Sequence, residues 1–195
     1  MPHIYLASSS PRRREILELI RLPHTVLDID VDESLPLGMN APEQVESLSR
    51  RKAEHAVHKL PGGVVIAADT VVVLDGEVLG KPEDELVAMD MLERLQGRTH
   101  EVFTGATVWD INDGRSVTGH DHTFVDMRPV GRDELLRYIA TGEPKDKAGA
   151  YGIQGLGSVF ITGIRGCYFN VMGLPVYKLT RMLKELDIDV SEYWG

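Results

Sequence analysis

Serines and arginines near the amino terminus, in the run Ser8–Arg14, have the chemistry of an anion site. Serine before proline is the usual N-cap and first position of a helix, so Arg12 and Arg13 fall at the second and third helical positions. Cations there oppose the helix dipole by about 0.3–1 kcal/mol each. Free backbone N–H groups, serine hydroxyls and guanidinium groups together suit phosphate oxygens. A capped helix with solvated arginines is the alternative, and this segment alone leaves both open.

A second candidate is Asp69, which interrupts the apolar run 64–74. A carboxylate within a buried strand is costly unless it is paired or bound to a metal. A neighbouring arginine or backbone N–H groups would satisfy it structurally. We favour a functional role, because the hydrogen-bonding residue Thr70 adjoins it and an Asp-Gly turn follows at 75–76.

Other positions are weaker candidates by themselves. Lys52 falls on the apolar stripe of a predicted helix and Lys81 at the exit of a predicted strand, and snorkelling to the surface explains either lysine. Glu33 continues the inward parity of the preceding strand, although that strand could end before it. Gln154 lies in a glycine-rich segment that matches neither the P-loop nor the dinucleotide fingerprint. Its amide could read the edge of a nucleobase, with a plain set of turns as the alternative.

The elements that must position these residues alternate along the chain. Strands are predicted at 3–7, 25–31, 64–74, 77–79, 101–109 and 120–127, helices at 11–21, 42–60, 83–95, 132–140 and 176–186, and loop with strand at 148–173. The hairpins exclude a purely parallel sheet. The prediction is therefore an α/β protein with a mixed sheet.

Composition limits the function classes. The chain has 195 residues and a net charge of −9, which favours one domain over 1–195 and disfavours a general nucleic-acid or membrane binder. Cys167 is the only cysteine, which excludes an intrachain disulfide and a multi-cysteine metal site. No apolar run approaches the roughly 20 residues of a membrane span, and no signal-peptide pattern opens the sequence. A cytoplasmic location is the expectation.

Five segments, considered together, resemble the Maf family of nucleotide pyrophosphatases over residues from about 3 to 185. They are Ala7–Arg13, 51–53, 68–70, 80–82 and 146–155. The resemblance implies a two-lobed mixed twisted sheet flanked by helices, with a central cleft, similar to the inosine triphosphatases. It also implies hydrolysis of a nucleoside triphosphate to the monophosphate and pyrophosphate with a divalent cation, Mg²⁺ or Mn²⁺.

Three positions distinguish the branches of this family. Arg12, Thr70 and Gln154 match the branch that acts on dTTP and UTP, whereas the 7-methyl-GTP branch carries a bulky aromatic residue and a glutamate at the first and last of them. Modified pyrimidine nucleotides would fit the same pocket. Gly80 departs from the larger polar residue of relatives, which would loosen Lys81 without abolishing the site.

The resemblance also implies residue roles. Asp69 matches the proton acceptor, and the other matched positions in the cleft are Ser8, Arg13, Glu33, Lys52 and Lys81. Glu33 and Asp69 are the expected metal ligands, and whether Asp69 is base, ligand or both stays open at this point. The family is associated with inhibition of septum formation. The alternative function is therefore a non-catalytic nucleotide-binding regulator of cell division that acts through a protein partner. A homodimer is the default assembly.

Overall fold

The computed structural model describes residues 1–195, which form a mixed sheet and six α-helices. The strands are β1 (Ile4–Ala7), β2 (Thr25–Leu27), β3 (Val64–Leu74), β4 (Glu77–Leu79), β5 (Thr99–Asp110), β6 (Ser116–Met127) and β7 (Ile161–Arg165). The helices are α1 (Pro11–Leu19), α2 (Ala41–Val57), α3 (Glu85–Leu95), α4 (Arg132–Ala140), α5 (Tyr168–Met172) and α6 (Val176–Glu185). Tight helical turns lie at Glu143–Asp146, Ala148–Ala150, Leu156–Phe160 and Val190–Trp194. None of the helices combines the length and the apolar character needed to cross a membrane.

The seven strands form one sheet in the order β2-β1-β3-β5-β6-β7, with β4 paired to β3. β1 runs parallel to both β2 and β3, whereas the pairs β3–β4 and β6–β7 are antiparallel. The predicted α/β class with a mixed sheet is confirmed.

The chain forms two compact units. The first unit comprises residues 1–69, 104–121 and 173–195, and the second unit comprises residues 70–103 and 122–172.

Small residues bring α2 close to the strands of the first unit. Ala53 and Ala56 are fully buried beside Ala7 and Ala67 of β1 and β3. Gly105 of β5 lies under the same helix, where a Cβ atom would be 2.3 Å from the carbonyl oxygen of Val45. These approaches fix the height of α2 above the sheet.

The second unit has its own apolar core between α3, α4 and the strands. Leu92, Leu95 and Leu135 are almost wholly buried within it. The hairpin that enters this unit turns at Asp75 and Gly76, both at positive φ, as the Asp-Gly pair predicts.

Two predictions about local structure were wrong. β2 ends at Leu27 instead of continuing to residue 31, because its neighbour β1 pairs with it only over Tyr5–Ala7 and offers no partner beyond. The segment 148–173, predicted as loop and strand, contains the helix Tyr168–Met172. At five residues that helix is too short for a periodic signal.

Candidate active site

Three segments of the first unit meet at one edge of its parallel strands. Ala7 ends β1, and its register partners are Leu27 on β2 and Ala67 on β3. Ser8 therefore follows β1 at the edge where Asp69 lies two residues beyond the part of β3 that pairs with β1. The carboxyl edge of parallel strands is the usual place for ligands in α/β proteins.

Lys52 of α2 holds two carboxylates together at this edge. Its Nζ donates to Oδ1 of Asp69 at 2.6 Å and lies 2.7 Å from Oε1 of Glu33. The side chains of Lys52 and Asp69 are each 13% exposed, whereas that of Glu33 is 57% exposed. The structure thus explains how a carboxylate is tolerated on β3: Asp69 is paired with a lysine that is equally sheltered.

Arg13 is the second cation at this edge, and it is half-buried. Its Nη1 donates to the hydroxyl of Ser8 at 3.0 Å and its Nε to the carbonyl oxygen of Gly173 at 2.7 Å. Burial lowers the pKa of Arg13, and the negative charges of Asp69 and Glu33 oppose that shift. An arginine stays protonated through such a shift, so this charge is present at any physiological pH.

The start of α1 differs in detail from the usual N-cap. Ser10 occupies the cap position, but its side chain makes no capping hydrogen bond. Instead its backbone N–H donates to the buried hydroxyl of Ser8 at 3.2 Å. The first turn contains no acidic residue. Arg12 is half-buried. Its positive charge lowers the pKa of Arg13, an effect smaller than those of burial and of the Asp69 charge.

The remaining predicted residues belong to the second unit. Thr70 follows Asp69 on β3 and is half-buried, while Lys81 and Gln154 are exposed. The backbone beside Lys81 is tied to the glycine-rich segment, because the N–H of Gly149 donates to the carbonyl oxygen of Gly80 at 3.0 Å. A Cβ atom at Gly80 would meet no atom within 4 Å.

Contacts link Ser8 to Arg13 and link Glu33 and Asp69 to Lys52, and the charges of Asp69 and Glu33 act on Arg13. We call these five predicted residues of the first unit the edge cluster: Ser8, Arg13, Glu33, Lys52 and Asp69. Sequence reasoning missed the carbonyl of Gly173, which lies 160 residues from Arg13 and carries no side-chain signal. It also missed Tyr138 and Glu143, which hold the loop that carries Gln154.

The donor set fits a hard divalent cation that takes part of its shell from a substrate. No group of three or more His, Cys, Asp or Glu side chains could hold a metal ion with protein ligands alone. Glu33 and Asp69 nevertheless present two carboxylates around a single cation, the ammonium of Lys52. Mg²⁺ commonly binds one or two carboxylates together with phosphate oxygens and water.

Comparison with known proteins identifies the family. A family model described as Maf-like protein matches residues 3–186. The chain belongs to the Maf family. A protein of Desulforamulus reducens named dTTP/UTP pyrophosphatase is 46% identical over 190 residues, which cover 97% of this chain and 100% of that protein. A protein of the same name from Carboxydothermus hydrogenoformans is 48% identical over 182 residues, 93% of this chain and 97% of its own.

Distant likenesses also exist among solved structures. The Ham1 protein of Staphylococcus aureus is 16% identical to this Maf protein and covers 98% of it, with 93% of its own chain aligned and a TM-score of 0.49.

Proposed function

We propose that this Maf protein hydrolyses dTTP and UTP to the nucleoside monophosphate and pyrophosphate. The observation that carries the proposal is the edge cluster, in which two sheltered cations and two carboxylates meet at the carboxyl edge of parallel strands. Its relatives named dTTP/UTP pyrophosphatase, at 46–48% identity over almost the whole chain, support the choice of substrate.

In this proposal the cations of the edge cluster bind the triphosphate. The Ser8 hydroxyl and the guanidinium groups of Arg12 and Arg13 face phosphate oxygens at the start of α1, where the helix dipole also favours an anion. Arg13 is already oriented for this by Ser8 and Gly173. Lys52 of the cluster adds charge that stabilises the developing negative charge on pyrophosphate. Lys81 is a further proposed substrate-binding residue, because it matches the family's motif.

Asp69 is the proposed proton acceptor. It would take a proton from the attacking water while the water oxygen bonds to the α-phosphorus and the bond from that phosphorus to the bridging oxygen breaks. The electron pair leaves with pyrophosphate. When bound, a divalent cation held by Glu33 and Asp69 would supply charge neutralisation on the phosphate oxygens. Thr70 and Gln154 are proposed to select the pyrimidine ring by hydrogen bonds to its edge.

The test is an assay of pyrophosphate release from UTP and dTTP with Mg²⁺, run in H₂¹⁸O. We expect the label in the monophosphate, because attack is on the α-phosphorus. Asp69→Asn should lower kcat by about 10²–10⁴-fold, the usual contribution of a general base. Asp90→Asn is the matched control, since Asp90 lies on the exposed face of α3 and makes only a long 3.8 Å contact with Arg94.

Three results would count against the proposal. Release of orthophosphate alone would indicate a general phosphatase. Absence of product from every nucleotide would favour the non-catalytic regulator of cell division. Full activity in Asp69→Asn would remove Asp69 from the reaction.

A further inference from the structure

The loop that carries Gln154 is tied down by two side chains that the proposed mechanism does not use. We call residues 152–157 the Gln154 loop. At its start, the N–H of Gly152 donates to the hydroxyl of Tyr138 at 3.2 Å. That hydroxyl in turn donates to Oε1 of Glu143 at 3.0 Å. Tyr138 comes from the last turns of α4 and Glu143 from the tight turn that follows, so both belong to the second unit.

Glu143 also holds the end of the Gln154 loop. Its Oε2 accepts from the N–H of Leu156 at 2.9 Å, and its Oε1 accepts from the N–H of Gly157 at 2.9 Å. With the Tyr138 hydroxyl, three donors point at one carboxylate. Hydrogen bonds of N–H groups to an ionised acceptor are about twice as strong as neutral ones. Both ends of the loop thus depend on the same carboxyl group.

Glycines permit this close attachment. A Cβ atom at Gly155, which has φ +84°, would lie 2.8 Å from Oε2 of Glu143. A Cβ atom at Gly157 would lie 2.8 Å from the Tyr138 hydroxyl and 2.5 Å from the carbonyl oxygen of Gly152. The spacing of glycines around Gln154 therefore has a steric reason that is independent of phosphate binding.

The direction of each hydrogen bond in the network is fixed. Burial raises the pKa of Tyr138, and the charge of Glu143 raises it further. The hydroxyl therefore stays protonated and donates to Glu143, which leaves its oxygen to accept from Gly152. An amide at position 143 would place an NH₂ group against at least one of the three donors.

We propose that Glu143 is a positioning residue that sets the base preference of the enzyme by holding the Gln154 loop. Gln154 is itself exposed, and the loop backbone sets the position from which its side chain extends. This inference rests on the proposed function in one respect, that Gln154 reads the pyrimidine edge. At that edge uracil presents the O4 acceptor and the N3–H donor, whereas cytosine presents the N4 donor and the N3 acceptor. The orientation of one amide, which has one acceptor and one donor group, can therefore distinguish them.

The test compares Glu143→Gln with wild type on UTP and CTP. Because a carboxylate acceptor is replaced by a donor, we expect the ratio of kcat/KM for UTP over CTP to fall about tenfold. The KM for UTP should rise by a similar factor, while kcat at saturation changes about twofold at most. Tyr138→Phe removes the acceptor for Gly152 and one of the three donors to Glu143, but keeps the bonds of Glu143 to Leu156 and Gly157. It should shift the ratio in the same direction by less. Glu143→Asp, which keeps the charge, should recover part of the preference.

Glu93→Gln is the matched control. Glu93 is a surface glutamate of α3 in the same unit. Its ion-pair partner is Arg132, which lies outside the Gln154 loop. It should leave both nucleotides unaffected. Hydrogen–deuterium exchange without nucleotide should show faster exchange at Leu156 and Gly157 in Glu143→Gln and no change in Glu93→Gln.

The outcomes separate this inference from the proposed function. If wild type binds UTP in calorimetry but releases no pyrophosphate, the proposed function fails. The inference is then decided by the UTP-to-CTP affinity ratio, which must still fall in Glu143→Gln. An unchanged ratio, unchanged exchange at Leu156 and Gly157, or a loss confined to kcat would each overturn the positioning role. Absence of binding to either nucleotide by wild type would overturn both.

Discussion

The contact between Lys52 and Asp69 predicts a measurable coupling in stability. Replacing Lys52 with methionine keeps the length of the side chain but leaves a carboxylate that is only 13% exposed without its cation. Breaking a buried pair by removing one partner costs about 3–5 kcal/mol, and partial exposure to water reduces this to about 2–3 kcal/mol here. The exposed Glu33 contributes little to that figure.

The assay is a double-mutant cycle on the free energy of unfolding, measured by urea titration. Lys52→Met combined with Asp69→Asn removes both charges, so the double variant should regain about 2 kcal/mol relative to the sum of the single changes. The matched cycle pairs Lys52→Met with Glu33→Gln. Because the side chain of Glu33 is 57% exposed, its coupling should be about 0.5 kcal/mol.

Two results would refute this reasoning. A coupling energy below about 0.5 kcal/mol for Lys52 and Asp69 would mean that the 2.6 Å contact contributes nothing beyond a surface pair. Equal coupling in the two cycles would mean that burial does not distinguish the carboxylates.

Two further predictions concern the fold. Burial lowers the pKa of His100 to about 4, below its ordinary 6.5. The unfolded chain therefore takes up the proton first, and stability should fall by about 3 kcal/mol between pH 6.5 and pH 4. His100→Gln should flatten that part of the pH profile of the unfolding free energy, and an unchanged profile would contradict the assignment. Gly105→Ala should lower the free energy of unfolding by about 3 kcal/mol or more, because its Cβ would overlap the Val45 carbonyl. Thermal unfolding checks this, with Gly80→Ala as the control, since a Cβ there meets open space. Equal stability of the two variants would refute the prediction.

Local patterns were enough to predict most elements but not the contacts among them. The apolar run of β3 and the Asp-Gly turn after it have their signals within a few residues, and both were predicted correctly. The partners of Arg13 and Glu143 lie up to 160 residues away or are backbone groups, which have no identity in the sequence.

The edge cluster was predicted better as a set of residues than as a geometry. Lys52 was a weak candidate on its helix, because a snorkelling lysine shows the same pattern. Only the register of β1 and β3 brings Asp69 to the edge where Lys52 reaches it. That register depends on pairing between residues 60 positions apart, which periodicity within one strand does not report.

The division of the chain has a consequence for inheritance. The backbone passes from one unit to the other between 69 and 70, 103 and 104, 121 and 122, and 172 and 173. A gene exchange that replaced one unit intact would have to join new sequence at all of these points simultaneously. A single crossover therefore cannot exchange one unit intact, and the two units are expected to descend together.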